Sequence, residues 1–244
     1  MRAAALGAVQ GVAEVVPVSS SAQLTLLPWL FGAEPSGDRT GLAAGLHAGS
    51  CAGIAWSLRR ELPDRRTTGL VALSAVPAAL AGLFAGEVVE RRLGRPGPTA
   101  GLLALAGVAL WAADRQPEHV NRVGAREAAV AGLAQVLALA PGVSRSGATL
   151  TALRLLHVEN AAASRFSILM SLPITAGAAG LTLLRSRHTP AGELAVGVPV
   201  AALTSALAAR ALLRPGVRPA RGAAVYRLGV AAAVAARLHR KGNP

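Results

Sequence analysis

Long stretches of this 244-residue chain run without an Asp, Glu, Lys or Arg, among them 40–58, 67–86, 96–113, 166–184 and 194–209. Several approach the ~20 residues that a helix needs to cross a bilayer. Alanine-rich runs also occur in buried helices of large soluble proteins, and Ala and Gly pad many of these. Their recurrence along most of the chain favours the membrane. Only 15% of the residues are charged, against roughly a quarter in an ordinary soluble domain. The expected fold is an all-α polytopic membrane protein, one integral membrane domain over 1–244.

The net charge of +13 comes from 24 Arg and one Lys, Lys241. The arginines sit mostly in short loops between apolar runs, as charges facing anionic head groups would. Three Phe, three Trp and one Tyr give no platform for stacking bases, so no nucleic-acid partner is expected. Cys51 is the lone cysteine, which excludes an intrachain disulfide and a multi-cysteine metal site. Met1 to Val18 contains Glu14 and lacks the basic start and long apolar core of a cleavable signal.

The chain also repeats itself. Val9 to Leu24 (VQGVAEVVPVSSSAQL) aligns with Ala134 to Thr149 (AQVLALAPGVSRSGAT) at an offset of 125. Gln10 falls on Gln135, Val18 on Val143, Ser19 on Ser144 and Ser21 on Ser146, while Ser20 falls on Arg145. Each copy reads as a short apolar helix, a Pro or Pro-Gly break, a Val-Ser-X-Ser turn and a second short helix. Neither helix is long enough to span alone. That is the pattern of a re-entrant helix-turn-helix, whose irregular backbone is tolerated where it lines a polar cavity. Three longer runs follow each copy: 40–58, 67–86 and 96–113, then 166–184, 194–213 and 222–238, the last interrupted by Arg227. Three crossings per half invert the second half relative to the first. The expectation is six transmembrane helices plus two re-entrant elements, in halves of approximately 1–120 and 121–244, with the two breaks meeting near the midplane. Loop charge does not choose an orientation; Arg210, Arg214, Arg218 and Arg221 lean toward a cytoplasmic face.

The polar residues of the two copies are the candidate site. Glu14 is the only acid before Glu34, and an ionisable group in such a stretch is a functional candidate. Gln10 lies four residues earlier, on the same helix face. One of Ser19, Ser20 and Ser21 suffices to cap the next helix, which leaves hydroxyls to face a cavity. A serine becomes a nucleophile if a base is in reach, and Glu14 is the nearest. In the second copy, Ser144 or Ser146 caps a helix whose start offers free N–H groups to an anion. Arg145 adds a planar fork suited to phosphate, and Thr149 stands one turn on. A cation at a helix start is disfavoured unless an anion sits between, so the expected ligand is a phosphate or diphosphate. His47 has two readings, facing the cavity or packing against a small neighbour. Arg165 reads as an anchor at the membrane boundary.

These stretches, with "ASRFSILMSLPITAGA" and a late "VYRLGVAAA", resemble the undecaprenyl-diphosphate phosphatases, the bacitracin-resistance family of bacterial membrane proteins. The resemblance runs over nearly the whole chain. It implies hydrolysis of undecaprenyl diphosphate to the monophosphate and phosphate, with recycling of the cell-wall lipid carrier. It places the enzyme in the bacterial cell membrane with an active site open to the extracytoplasmic side. Ser20 takes the position of the proposed nucleophile, Glu14 that of a base or metal ligand, and Arg145 that of the phosphate-holding arginine. Gln10, Ser19, Ser21, Gln23, Ser144, Ser146 and Thr149 are the expected substrate-binding residues. The resemblance further implies a divalent cation, Mg²⁺ or Ca²⁺, near Glu14. Where the family reads Ser-Ser-(Ser/Thr)-Gly-His, this chain has Ala22 and Gln23, and an amide cannot exchange a proton at useful pH. The rival reading is a transporter or flippase for a phosphorylated polyprenyl lipid, which an inverted repeat fits equally well. Membrane lipids are expected partners, and a homodimer is compatible with a sequence that fixes no oligomeric state.

Overall fold

The structure, a computed structural model, describes residues 2–32, 40–60, 63–185 and 191–242. Arg39 and Arg187, two of the loop charges counted above, lie outside the described residues. Ten helices follow one another: α1 (Arg2–Val15), α2 (Ser20–Leu30), α3 (Thr40–Leu58), α4 (Arg65–Leu93), α5 (Pro96–Asp114), α6 (Ala125–Leu137), α7 (Arg145–Leu155), α8 (Asn160–Arg185), α9 (Ala191–Leu212) and α10 (Pro219–Gly242). Among the described residues the one β-type contact is a bridge between Val120 and Val158.

The helix order is short, short, long, long, long, and then the same again. Packing follows the same exchange. α1 lies on α9 and α6 lies on α4; α5 meets α7 and α10 meets α2; α3 packs on α8, and α5 on α10. Each half thus rests its first short helix on the fourth helix of the other half. Glycine makes the approach possible. A Cβ on Gly7 would strike the Gly197 carbonyl of α9, and one on Gly132, 125 residues later, would strike Ser74 of α4. Along α3, Gly49 and Gly53 bring the backbone against Val198 and Ala202 of α9. Small residues four apart allow this contact between apolar helices.

Among the described residues, four helices are long and apolar enough to cross a membrane: Arg65–Leu93, Pro96–Asp114, Asn160–Leu184 and Ala191–Leu212. Two runs counted as crossings above, in α3 and α10, are not among them. The reason is visible in their side chains: α3 carries His47 and Ser50, and α10 carries Arg221, Arg227 and Arg237. Ser50 and Arg227 are fully buried. Large apolar side chains face outward as well as into the core, and several ionisable groups are buried. Leu80 and Phe84 of α4 and Leu203 and Leu207 of α9 stand exposed, whereas Glu14, Arg154 and Arg227 are buried. Exposed apolar faces on this scale mark contact with lipid or protein.

Arginine and tryptophan meet at the helix ends. Arg59 and Arg210 lie over Trp56, Arg115 over Trp111 and Arg237 over Trp29. The loops after α3, α5 and α9 share one face, joined by Arg122–Asp64 at 3.4 Å, Arg221–Asp114 at 3.0 Å and Arg218–Glu118 at 3.1 Å.

Candidate functional site

Each repeat copy breaks between two short helices, and both breaks are built alike. Ser19 and Ser144 hold φ at 70° and 71°, an unusual conformation for a residue with a side chain. Each serine then caps the helix that follows. Ser19 Oγ accepts from the Ala22 N–H, and Ser144 Oγ accepts from the Gly147 N–H at 3.2 Å. The next serine but one stands 3.3 Å away in both cases, Ser21 from Ser19 and Ser146 from Ser144. Gly142 precedes the second cap at φ 104° and abuts the Thr99 carbonyl of α5, where a side chain would not fit. Two strained, identically capped helix starts in one chain are the kind of cost that persists at functional sites.

The starts of α2 and α7 open on one cavity of about 170 Å³. Its polar lining is Glu14, Ser19, Ser20, Ser21, His47, Ser144, Arg145, Ser146 and Thr175. Seven of the ten residues singled out by sequence are therefore together. Ser20 has no hydrogen-bond partner among the described residues and leaves its hydroxyl to the cavity.

Glu14 and Arg145 form the centre. Arg145 Nη2 donates to Glu14 Oε1 at 3.1 Å and to the Glu14 carbonyl at 2.8 Å, and Nη1 donates to the Ser167 carbonyl at 3.1 Å. Its Nε has no partner among the described residues. Thr175 Oγ1 donates to Glu14 Oε1 at 2.9 Å, and Gln10 Nε2 donates to Oε2 at 2.8 Å. His47 Nδ1 lies 3.3 Å from the same Oε2 and 3.0 Å from Gln10 Nε2. Both carboxylate oxygens are thus engaged by donors already. A buried carboxylate held by three donors is fixed in its orientation.

Three expected ligand contacts sit elsewhere. Gln10 is buried behind Glu14 and orients it. Thr149 is fully buried and bonds to Ser167 Oγ at 2.7 Å and to the Arg145 and Ser146 carbonyls. Gln23 donates to the Val18 carbonyl at 2.8 Å and accepts from the Tyr226 hydroxyl at 2.7 Å. It lines an apolar groove with Val12, Val16 and Leu27 instead of the polar cavity. Of the residues left open by sequence, His47 faces the cavity. Arg165 lies in another recess, beside Asp64, Arg66 and Arg122, on the face where the charged loops gather.

Thr175 and the Ser167 carbonyl were not anticipated. Both belong to α8, within the uncharged run 166–184, where a lone hydroxyl or a carbonyl has no spacing signal.

Two helix starts, one arginine, one clamped carboxylate and an unpartnered serine inside an apolar helical bundle define a membrane-type site for an anionic phosphate ligand. The chain belongs to the family described as bacitracin resistance protein BacA, whose pattern matches residues 3–233. It is 42% identical to the undecaprenyl-diphosphatase of Pelobacter propionicus over 88% of each chain. Identity to the undecaprenyl-diphosphatase of Gemmatimonas aurantiaca is 37% over 93% of each, and to that of Geobacter metallireducens 38% over 88%.

Proposed function

We propose that the chain hydrolyses undecaprenyl diphosphate to undecaprenyl phosphate and inorganic phosphate. The observation that carries this reading is the convergence of two capped helix starts and Arg145 on a cavity holding a free serine hydroxyl. N–H groups at helix starts and a guanidinium fork are preorganised donors for phosphoryl oxygens, and phosphoryl transfer is accelerated mostly by such positioning and charge stabilisation.

Ser20 Oγ attacks the terminal phosphorus, the bond to the bridging oxygen breaks, and undecaprenyl phosphate leaves. Water then cleaves the phosphoserine, returning the serine and releasing phosphate. Glu14 is spoken for by Arg145, Thr175 and Gln10, so it serves to orient. His47 holds Nδ1 toward Glu14, and its Nε2 has no partner among the described residues. We assign the proton transfer at this site to that ring, since Gln23 exchanges no proton and faces Val18 and Tyr226.

A divalent cation fits with few protein ligands. Glu14 is the cavity's one carboxylate, and the buried Gln10 Oε1 beside it has no partner among the described residues. Mg²⁺ is commonly held by one or two carboxylates together with substrate phosphates. Glu14 would hold it here together with the substrate's phosphates, with Gln10 behind fixing the carboxylate, and it would neutralise phosphate charge.

We place the chain in the bacterial cell membrane as a six-crossing inverted repeat, α3 to α5 and α8 to α10 spanning and α1–α2 and α6–α7 re-entrant. The exchange of contacts between halves 1–120 and 121–244 supports this arrangement, as does the equivalence of Gly7 with Gly132. The cavity would face the extracytoplasmic side. Proteoliposomes loaded with undecaprenyl diphosphate test the activity. Phosphate release with monophosphate lipid as product supports hydrolysis, and intact diphosphate lipid moved between leaflets supports the transporter instead.

A further inference from the structure

Arg227 is fully buried on α10 and pairs with no carboxylate among the described residues. Its Nε donates to the Pro17 carbonyl at 2.6 Å, and Nη1 and Nη2 have no partner among the described residues. The comparison with Arg154, equally buried, is instructive. Arg154 donates to the carbonyls of Val158, Asp114 and Gln116 and pairs with Glu118. This fold satisfies an arginine where it needs one only for packing. A lone buried guanidinium is expensive, so its retention asks for a task.

Its surroundings state the task. Pro17 begins the break that ends in the Ser19 cap. On the other side the guanidinium abuts Gly147, in the first turn of α7, whose N–H makes the Ser144 cap bond. A Cβ on Gly147 would overlap Nη2 and stand 3.0 Å from Cζ. Gly107 of α5 makes the remaining space, since a Cβ there would lie 3.2 Å from the Arg227 Cβ. The neighbouring Tyr226 reaches the same break by another route, through Gln23 and the Val18 carbonyl. One turn of α10 therefore grips both breaks, at 17–18 and at 147.

We propose that Arg227 is a positioning residue that sets the spacing between the two helix starts facing the cavity, and that Gly147 is glycine because Arg227 occupies the room of its side chain. The inference rests on the hydrolytic reading for its effect on turnover, but the pairing of Arg227 with Gly147 stands apart from it. A cation behind the start of α7 is disfavoured by the helix dipole in the empty site. Phosphate charge in the cavity offsets that repulsion, so the same residue that spaces the helices also favours the filled state.

The test is a double-mutant cycle on full-length protein in detergent, Gly147→Ala, Arg227→Lys and both together. Phosphate release and thermal unfolding are followed for each. Misplacing reacting groups by about 1 Å costs roughly 100-fold, so Gly147→Ala should lose turnover on that order with KM changed little. Arg227→Lys keeps the charge with a smaller head but gives up the Nε contact with the Pro17 carbonyl, and should lose turnover by about tenfold with KM changed little. The double variant should recover at least about tenfold over Gly147→Ala, as coupled neighbours do. Should Gly147→Ala fail to give monodisperse protein, recovery of monodisperse protein in the double variant is the same result read from folding. Wild-type turnover in Gly147→Ala, or a double variant no better than Gly147→Ala by either readout, overturns the proposal. A wild-type protein that releases no phosphate sinks the hydrolytic reading instead, and the coupling is then judged from unfolding alone.

Discussion

Replacing Arg145 with lysine asks whether the guanidinium fork or merely its charge matters. Arg145 spans two elements at once, with Nη1 on the Ser167 carbonyl of α8 and Nη2 on the backbone and carboxylate of Glu14 in α1. A lysine has one nitrogen on a shorter reach and can serve one of these partners, not both. The variant then gives up at least one hydrogen bond to a charged group, worth about 1.5–3 kcal/mol. If that contact is made to the phosphoryl group in the transition state, kcat/KM falls by about 10- to 150-fold. The assay is phosphate release by purified protein from undecaprenyl diphosphate, beside a size-exclusion profile that establishes folding. Turnover within about twofold of wild type in a folded variant would refute the role of the fork.

Other substitutions probe the remaining contacts. Ser20→Ala should reduce turnover by at least about 100-fold with binding retained, and an active variant would mean that water attacks directly. Thr175→Val removes one bond to Glu14 Oε1 and should cost roughly tenfold in kcat/KM, a loss that Thr175→Ser should largely restore. His47→Gln should lower kcat by at least about 100-fold with KM changed little, and unchanged turnover would remove the ring from proton transfer. Gln23→His should leave the wild-type pH–rate profile unchanged, because position 23 faces Tyr226 and Val18; a new titration near ~6.5 would show that the side chain reaches the cavity.

Much of this site could be read from residues 9–24 and 134–149 alone. The Pro and Pro-Gly breaks, the capping serines and a cation at a helix start each carry a local physical meaning, and the repeat doubled the signal. What the sequence left open depended on rotation about helix axes. Gln23 and Thr149 stand within a turn of cavity residues yet point into protein, and no pattern in a short apolar helix says which side is which. Thr175 lies 161 residues from the carboxylate it contacts. Arg227 showed only as an interruption of an apolar run, and its meaning appears once α10 is seen between Pro17 and Gly147. For the fold, α3 and α10 are less apolar than a crossing helix ordinarily is, and part of the polarity, Ser50 in α3 and Arg227 in α10, is turned into the protein.

The central claim is that the paired helix starts and Arg145 cleave a lipid diphosphate. Phosphorus NMR of undecaprenyl diphosphate incubated with the purified protein tests it most directly. The account predicts that the two coupled diphosphate resonances give way to one phosphomonoester signal and one of inorganic phosphate in equal amount, at a rate that collapses in Arg145→Lys. Diphosphate resonances that persist beside folded wild-type protein would contradict it.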